Sequence, residues 1–230
     1  DALPFLTANT KHVMDLAQLE KEPYVNTVGK KVVVLGGGDT AMDCVRTSIR
    51  QGAEVVTCAY RRDEANMPSS KKEVKNAKEE GVEFLFNVQP LRIVLNEDGK
   101  VSGIEMVKTE LGAPDASGRR KPQKIAGSEF ILDADIILQA FGFSSHAMPW
   151  LSPYHVNLDK WGGIDAPRGE NKFCQTSNAK IFAGGDVVRG ADLVVTAMSD
   201  GRRAAEGIIK YLKVEPIFPP QFVARELRHE

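Results

Sequence analysis

Apolar residues change their spacing several times along this chain, and the changes divide it into elements. Leu3, Phe5, Leu6, Val13, Met14, Leu16 and Leu19 recur at intervals that suit one face of a helix over residues 2–20, with Pro23 at or beyond its end. Gly29-Lys30-Lys31 then turns into Val32-Val33-Val34-Leu35, a run without a polar position. Such a run predicts a strand covered on both faces, inside a parallel sheet. Ala41, Met42, Val45 and Ile49 return to helical spacing, and Gly52 is a natural stop. A strand over 54–60, a helix over 71–80 and a strand over 83–88 complete the alternation that makes a parallel sheet with right-handed crossovers.

The rhythm then breaks. Residues 91–95 and 101–108 flank the turn Asn96-Glu97-Asp98-Gly99 as a hairpin. The polar stretch Glu110 to Lys124 reads as a loop, and 129–132 as a third antiparallel segment. "ADIILQAF", residues 134–141, is a buried strand again and ends in Gly142. Residues 149–172 are loop-rich, 180–185 reads as a short strand and 193–213 as a final helix.

Composition narrows the class. The chain has 230 residues, 42% hydrophobic and 27% charged, with net charge −1 and an isoelectric point near 6.5. That balance points away from nucleic acid and from a membrane surface as partners. No apolar stretch approaches the roughly 18 residues of a spanning helix. A soluble, cytoplasmic protein is expected. The start, "DALPFLTANTK", lacks the basic-then-apolar order of a signal peptide and an initiator Met, so a cut inside a longer protein is expected. Cys44, Cys58 and Cys174 are odd in number and form no CxxC, which suits reduced, buried thiols rather than disulfides or a metal site.

The chemistry starts at "VVVLGGGDTAMD". Gly36-x-Gly38-x-x-Ala41 lies where a buried strand runs in and a helix runs out, the arrangement that aims backbone N–H groups and a helix dipole at a pyrophosphate. Gly36 allows the tight turn, Gly38 admits a phosphate, and Ala41 keeps helix and strand close; Gly37, Asp39 and Thr40 complete the candidate loop. NAD-binding domains carry an acid at the end of the second strand, yet "VVTCAY" ends here in Arg61-Arg62. A carboxylate there would repel a 2′-phosphate, and guanidinium groups would grip it, so NADPH is the expected dinucleotide. Asp63-Glu64 could pair with these arginines and weaken the inference; Lys71 and Lys72 could add to the phosphate site. A second constellation is "TSNAKIFAGGDVVRGADLVVTAMSDGRRAAEGI", a strand into Gly184-Gly185-Asp186 and then a helix lined with small residues.

Four stretches carry a resemblance: "VVVLGGGDTAMDCVRTSIRQGA", "CAYRRDEANMPSSKKEVKNAKEEGVEF", "DADIILQAFGF" and "KIFAGGDVVRGADLVVTAMSDGRRAAEGI". From Gly29 to Val214 the chain resembles the small (β) subunit family of NADPH-dependent glutamate synthase and related flavin oxidoreductases fused to iron–sulfur modules. The resemblance implies an α/β fold: a Rossmann-like NAD(P)-binding domain with an inserted antiparallel β-meander, plus the C-terminal remnant of a FAD-binding Rossmann-like domain. Its implied division is 1–27 as a helical segment leading from the FAD domain, 28–143 as the NADPH-binding domain and 144–230 as the rest of the FAD domain. Gly185 and Asp186 would then belong to the FAD site, Asp186 on the ribityl chain, with backbone around Thr196-Ala197 at the flavin's pyrimidine edge; Gly142 joins the NADPH site. The family's first glycine fingerprint and its cysteine clusters are absent here. FAD is therefore expected in the intact protein, iron–sulfur clusters outside this chain, and as partners the missing N-terminal region and a large catalytic subunit.

In that family hydride passes from nicotinamide to flavin and electrons leave through clusters, so no acid, base, nucleophile or metal ligand is assigned. His12, His146, His155 and His229 are read as structural or surface residues. A thioredoxin reductase relative would need a CxxC. A non-catalytic dinucleotide-binding module remains open.

Overall fold

The computed structural model describes residues 1–114, 120–143, 146, 148–168 and 173–213, which divide between two compact units, Asp1–Gly142 and Phe143–Glu230. His229 lies outside the described residues.

In the first unit the strands are Lys31–Leu35 (β1), Val55–Tyr60 (β2), Glu83–Phe86 (β3), Val88–Leu95 (β4), Val101–Pro114 (β5), Arg120–Asp133 (β6) and Ile136–Gln139 (β7). Four of them make a parallel sheet in the order β3-β2-β1-β7, and three make an antiparallel sheet in the order β4-β5-β6. The helices are Ala2–Val13 (α1), Asp39–Gln51 (α2) and Lys71–Glu79 (α3).

The unbroken apolar run of β1 now has its cause. Val32 and Val34 share a core with Phe5, Met42, Val45 and Val74 of the helices. Val33 and Leu35 point the other way, into a second core with Ile104 and Met106 of the antiparallel sheet. Each face of β1 is thus covered by a different layer, and a fully buried Val or Leu contributes about 1.5–3 kcal/mol of transfer free energy. A polar residue at any of these positions would lose its water on either face.

Local signals account for the helix ends. Gly52, left-handed at φ 93°, closes α2. Ser70 caps α3, its hydroxyl accepting the Glu73 N–H at 3.2 Å. Glu73 does not complete the reciprocal half of a capping box; its carboxylate goes to Arg46 of α2 instead.

Five readings of the sequence are corrected. The first helix stops at Val13, not residue 20: Asp15 is left-handed at φ 53°, and Val13, Met14, Leu16 and Leu19 are 47–74% exposed, so no burial extends it. The single strand over 83–88 is two, broken at Asn87, whose φ of 55° suits the one residue there that tolerates left-handed backbone. The polar stretch 110–124 is not a free loop: Glu110 pairs with Gln123, Leu111 with Pro122 and Pro114 with Arg120, extending β5 and β6, while 115–119 lie outside the described residues. The strand over 134–141 is reduced to β7, because Ala134 and Asp135 already bond to Ser102 and Lys31. The strand over 180–185 is a lone bridge between Gln175 and Phe182, with no neighbouring strand to extend it among the described residues.

The second unit is less layered. Its core is Leu151, Ile164 and Ala166, with Val156, Ala183 and Val187 packed around them. Asp186–Arg189 (α4) and Val194–Leu212 (α5) follow, and Gly207 lets α5 pack closely, since a Cβ there would lie 2.6 Å from Phe173 Cβ. All three cysteines are free and buried, and burial pushes the Cys44 and Cys58 thiols up to about 12. Among the described residues there is no helix long and apolar enough to cross a membrane, and no cluster of three or more His, Cys, Asp or Glu that could hold a metal ion.

One ionic cluster clamps α2 to α3. Glu80 Oε1 accepts Arg46 Nε at 3.0 Å, Arg46 Nη2 at 2.8 Å and Arg50 Nη2 at 2.8 Å. These bonds hold its carboxyl down at about 2, against an ordinary 4.5. A depressed carboxyl stabilises the fold fully above its unfolded value and stops doing so as pH falls through the folded one. Glu80→Gln should therefore lower the melting temperature at pH 7 by roughly 3–6 °C. The gap between the variant and the parent should close as pH falls from 4.5 toward 2, as read by thermal melts across that range.

Candidate functional site

The end of β1 leaves the sheet where two other chain segments crowd it. Gly36 N donates to Ala59 O at 3.1 Å, and a Cβ on Gly36 would lie 2.3 Å from Ala140 O. With φ at 151°, this backbone also disfavours any L side chain. A Cβ on Gly37 would lie 2.5 Å from the Tyr60 ring. Gly38 is different: it caps α2 in extended conformation, and the nearest atom to a Cβ there is Pro68 Cγ at 3.9 Å. The first two glycines are therefore demanded by the protein itself, and the third leaves space.

That space is bordered by unspent donors. The Gly38 carbonyl accepts Ala41 N at 2.9 Å and Met42 N at 3.2 Å, whereas the N–H groups of Gly38, Asp39 and Thr40 have no acceptor among the described residues. Free N–H groups at the start of a helix, with its dipole behind them, suit an anion. Asp39 puts a carboxylate in the same turn, but its Oδ1 is taken by Ser69 Oγ at 2.6 Å and Ser70 N at 3.0 Å. Ala41 is fully buried in the helix-side core.

A cleft of about 480 Å³ opens here, and Gly36, Gly37, Gly38, Thr40, Arg61, Arg62 and Gly142 all line it. Tyr60, Gln89 and Phe141 line it as well, and sequence reasoning missed them because their contribution depends on how the strand ends converge. Arg61 is exposed, and its side chain has no partner among the described residues. Arg62 Nη2 donates to Arg120 O at 3.2 Å, and its Nε is buried without an acceptor among the described residues. The neighbouring acids do not neutralise the pair: Asp63 Oδ1 accepts from Asn66 N and Nδ2 at 2.9 and 2.7 Å, and Glu64 pairs with Lys78 at 2.6 Å. Lys71 and Lys72 are exposed and do not line the cleft.

The remaining candidates, Gly185, Asp186, Thr196 and Ala197, sit in the second unit. Gly185 is left-handed at φ 72°, and a Cβ on it would meet Ala197 Cβ at 3.4 Å. Asp186 is exposed. The Thr196 and Ala197 N–H groups are spent on Leu193 O at 3.0 and 3.2 Å, so the donors at the start of α5 without an acceptor among the described residues are those of Val194 and Val195.

Asp200 organises this turn and was missed. Only 1% exposed, it accepts Gly185 N at 2.9 Å, Arg189 Nε at 3.0 Å and Arg189 Nη2 at 2.5 Å. Arg189 holds its carboxyl below the ordinary range. The signal was available: Ala197, Asp200, Ala204 and Gly207 follow helical spacing, and a lone acid in a stripe of small residues needs a buried partner. His12 stacks on Tyr24 at 3.9 Å, and His146 and His155 are exposed.

Residues 5–201 match the pyridine nucleotide-disulphide oxidoreductase family. The chain belongs to that family. Among its relatives, the glutamate synthase [NADPH] small chain of Escherichia coli (strain K12) is 63% identical over 213 residues, 93% of this chain and 45% of that protein. The chain spans about a third to just under half the length of the first curated relatives it matches. In fold, it is similar to T. acidophilum thioredoxin reductase, with TM-score 0.62 and 22% identity over 81% of this chain and 53% of that one. It is also similar to Mycobacterium tuberculosis FprA in complex with NADPH, with TM-score 0.63 and 16% identity over 82% of this chain and 54% of that one. The expected α/β class with Rossmann-like architecture is that of these structures.

Gly36→Ala should destabilise the first unit by about 2–4 kcal/mol, since both the contact with Ala140 and the backbone angle oppose it. Gly38→Ala should cost about 1 kcal/mol or less, being an open cap position; denaturant melts compare the two. Asp200→Asn should cost roughly 1.5–3 kcal/mol, by replacing the buried carboxylate that Arg189 and Gly185 N share with a neutral amide and leaving Asp192 as the remaining ion-pair partner of Arg189. A melting temperature within a degree of the parent would show that the pair does not hold the turn.

Proposed function

We propose that this chain is the NADPH-binding portion of a flavin-dependent oxidoreductase similar to the glutamate synthase small chain. One observation carries the reading: a single cleft is lined both by the glycine turn, with its unspent N–H groups, and by two arginines where an NAD-binding domain would carry an acid. A diphosphate fits the first feature and the extra phosphate of NADPH the second. The buried Arg62 Nε, without an acceptor among the described residues, is a charged donor that a phosphate oxygen would satisfy. The name of the 63%-identical relative includes NADPH.

The division into residues 1–27, 28–143 and 144–230 belongs to the same proposal. Gly185, the exposed Asp186 carboxylate and the free amides at the start of α5 would hold part of FAD. Asp186 suits a ribityl hydroxyl, and helix-start amides suit the electron-rich edge of a flavin. Bound FAD would accept the nicotinamide hydride, and iron–sulfur clusters outside this chain would carry the electrons to a final acceptor. The chain's own task is to bind and orient NADPH. Alone, it binds NADPH without turning it over.

Titration of the purified chain with NADPH and NADH, followed by nucleotide fluorescence, tests this. NADPH should bind at least tenfold more tightly. Arg61→Ala with Arg62→Ala should remove most of that preference, at roughly 1.5–3 kcal/mol for each charged hydrogen bond lost, with a much smaller change for NADH. Equal affinity for the two nucleotides in the parent chain would overturn the proposal, as would a yellow protein that reduces a dye with NADPH for the claim of no turnover.

A further inference from the structure

Both arginines of the cleft belong to a short segment that the antiparallel sheet holds by its backbone. Thr109 of β5 is 4% exposed, and its hydroxyl donates to Arg61 O at 3.0 Å. Asn87 N donates to Arg62 O at 3.1 Å, and Thr109 N in turn donates to Asn87 O at 2.7 Å. Arg120 O of β6 accepts Arg62 Nη2 at 3.2 Å. The Arg61 carbonyl and the Arg62 guanidinium are thus tied to the inserted sheet, and the Arg62 carbonyl to Asn87 just before it, with Thr109 bonded to two members of the set.

A local irregularity puts Thr109 there. The ladder pairs Val107 with Glu129 and next Thr109 with Lys124, so two steps along β5 are matched by five along β6. The surplus is a bulge whose Ser128 Oγ accepts Lys108 N at 3.1 Å and donates to Ile125 O at 2.6 Å. Bulges bend a strand pair and re-aim its side chains. Beyond this one, the ribbon reaches the end of β2, where Arg120 O meets Arg62. A hydroxyl as buried as that of Thr109 requires a partner, and its partner is the backbone of the residue that would contact phosphate.

We infer that Thr109 is a positioning residue for dinucleotide discrimination: by holding the Arg61 carbonyl it fixes the backbone from which the arginine side chains reach the 2′-phosphate of NADPH. This rests on the NADPH reading of the cleft. Side chains as long as arginine gain a tight phosphate contact only when their base is fixed, because otherwise ordering them consumes the gain. The inserted sheet then acts as a brace for specificity.

The test is nucleotide titration of the parent chain, Thr109→Val and Thr109→Ser, with NADPH and NADH as the probes. Thr109→Val keeps shape and removes the bond; it should weaken NADPH by about fivefold to tenfold, the worth of one neutral hydrogen bond. NADH affinity should move by less than about twofold, and Thr109→Ser should restore the parent ratio. Should valine unfold the chain, which a melt reports, Thr109→Ala gives the same readout. An unchanged NADPH-to-NADH ratio in Thr109→Val or Thr109→Ala overturns the inference. So does equal weakening of both nucleotides, the signature of a merely structural role. A parent chain that does not discriminate at all refutes the reading of the cleft instead, and the two failures are told apart by the parent alone.

Discussion

Everything in the first unit is arranged around the crowding at the exit of β1. A strand buried on both faces has nowhere to turn except between its neighbours, and here a Cβ on Gly36 would lie only 2.3 Å from Ala140 O. The Tyr60 ring closes on Gly37 in the same way. Only residues without side chains let β1, β2 and β7 converge this closely. That convergence brings the end of β2 beside the start of α2, so the arginines and the free helix amides share one cleft. A looser turn would keep the strands and lose the juxtaposition.

This division of labour among the glycines differs from the simple fingerprint argument. The fingerprint assigns Gly38 to phosphate approach and Gly36 to the turn; the geometry shows the crowded turn at Gly36 and open space at Gly38. Gly37, which the pattern leaves unspecified, is crowded too, though by a side chain rather than by backbone: the ring of Tyr60, 23 positions further along the sequence. Pattern reading cannot find such a constraint, since it arises from a contact between strands. It could find β1, α2, β2 and α3, because their periodicity and caps are local.

Where legibility failed, tertiary contacts overrode local preference. Leu16 and Leu19 continue the helical spacing of α1, yet nothing buries them and the helix ends. The stretch 110–124 is polar and rich in Gly and Pro, yet its described residues pair, because a ribbon exposed on its outer face needs few apolar residues. Asn87 looked like one more residue of a strand, and its left-handed backbone is what hands the chain from the parallel sheet to the antiparallel one. In the second unit, the Gly185 turn was legible as a motif, but its buried Asp200 and Arg189 support comes from residues 15 and four positions away.

Charge within the glycine turn shows how the pieces depend on one another. An acid at Asp39, the first residue of α2, would by itself oppose a phosphate at the same helix start. Its carboxylate is instead turned to Ser69 and Ser70, and Ser69 N is bonded to Gly37 O at 3.1 Å. The same interaction that removes the acid from competition therefore ties the segment after β2 onto the turn. Ser70 also caps α3, which Arg46 and Glu80 fasten to α2. The electrostatic preparation of the cleft and the packing of the helices beneath it are thus one connected network. A substitution that frees Asp39 would loosen α3 as well as return negative charge to the open start of α2.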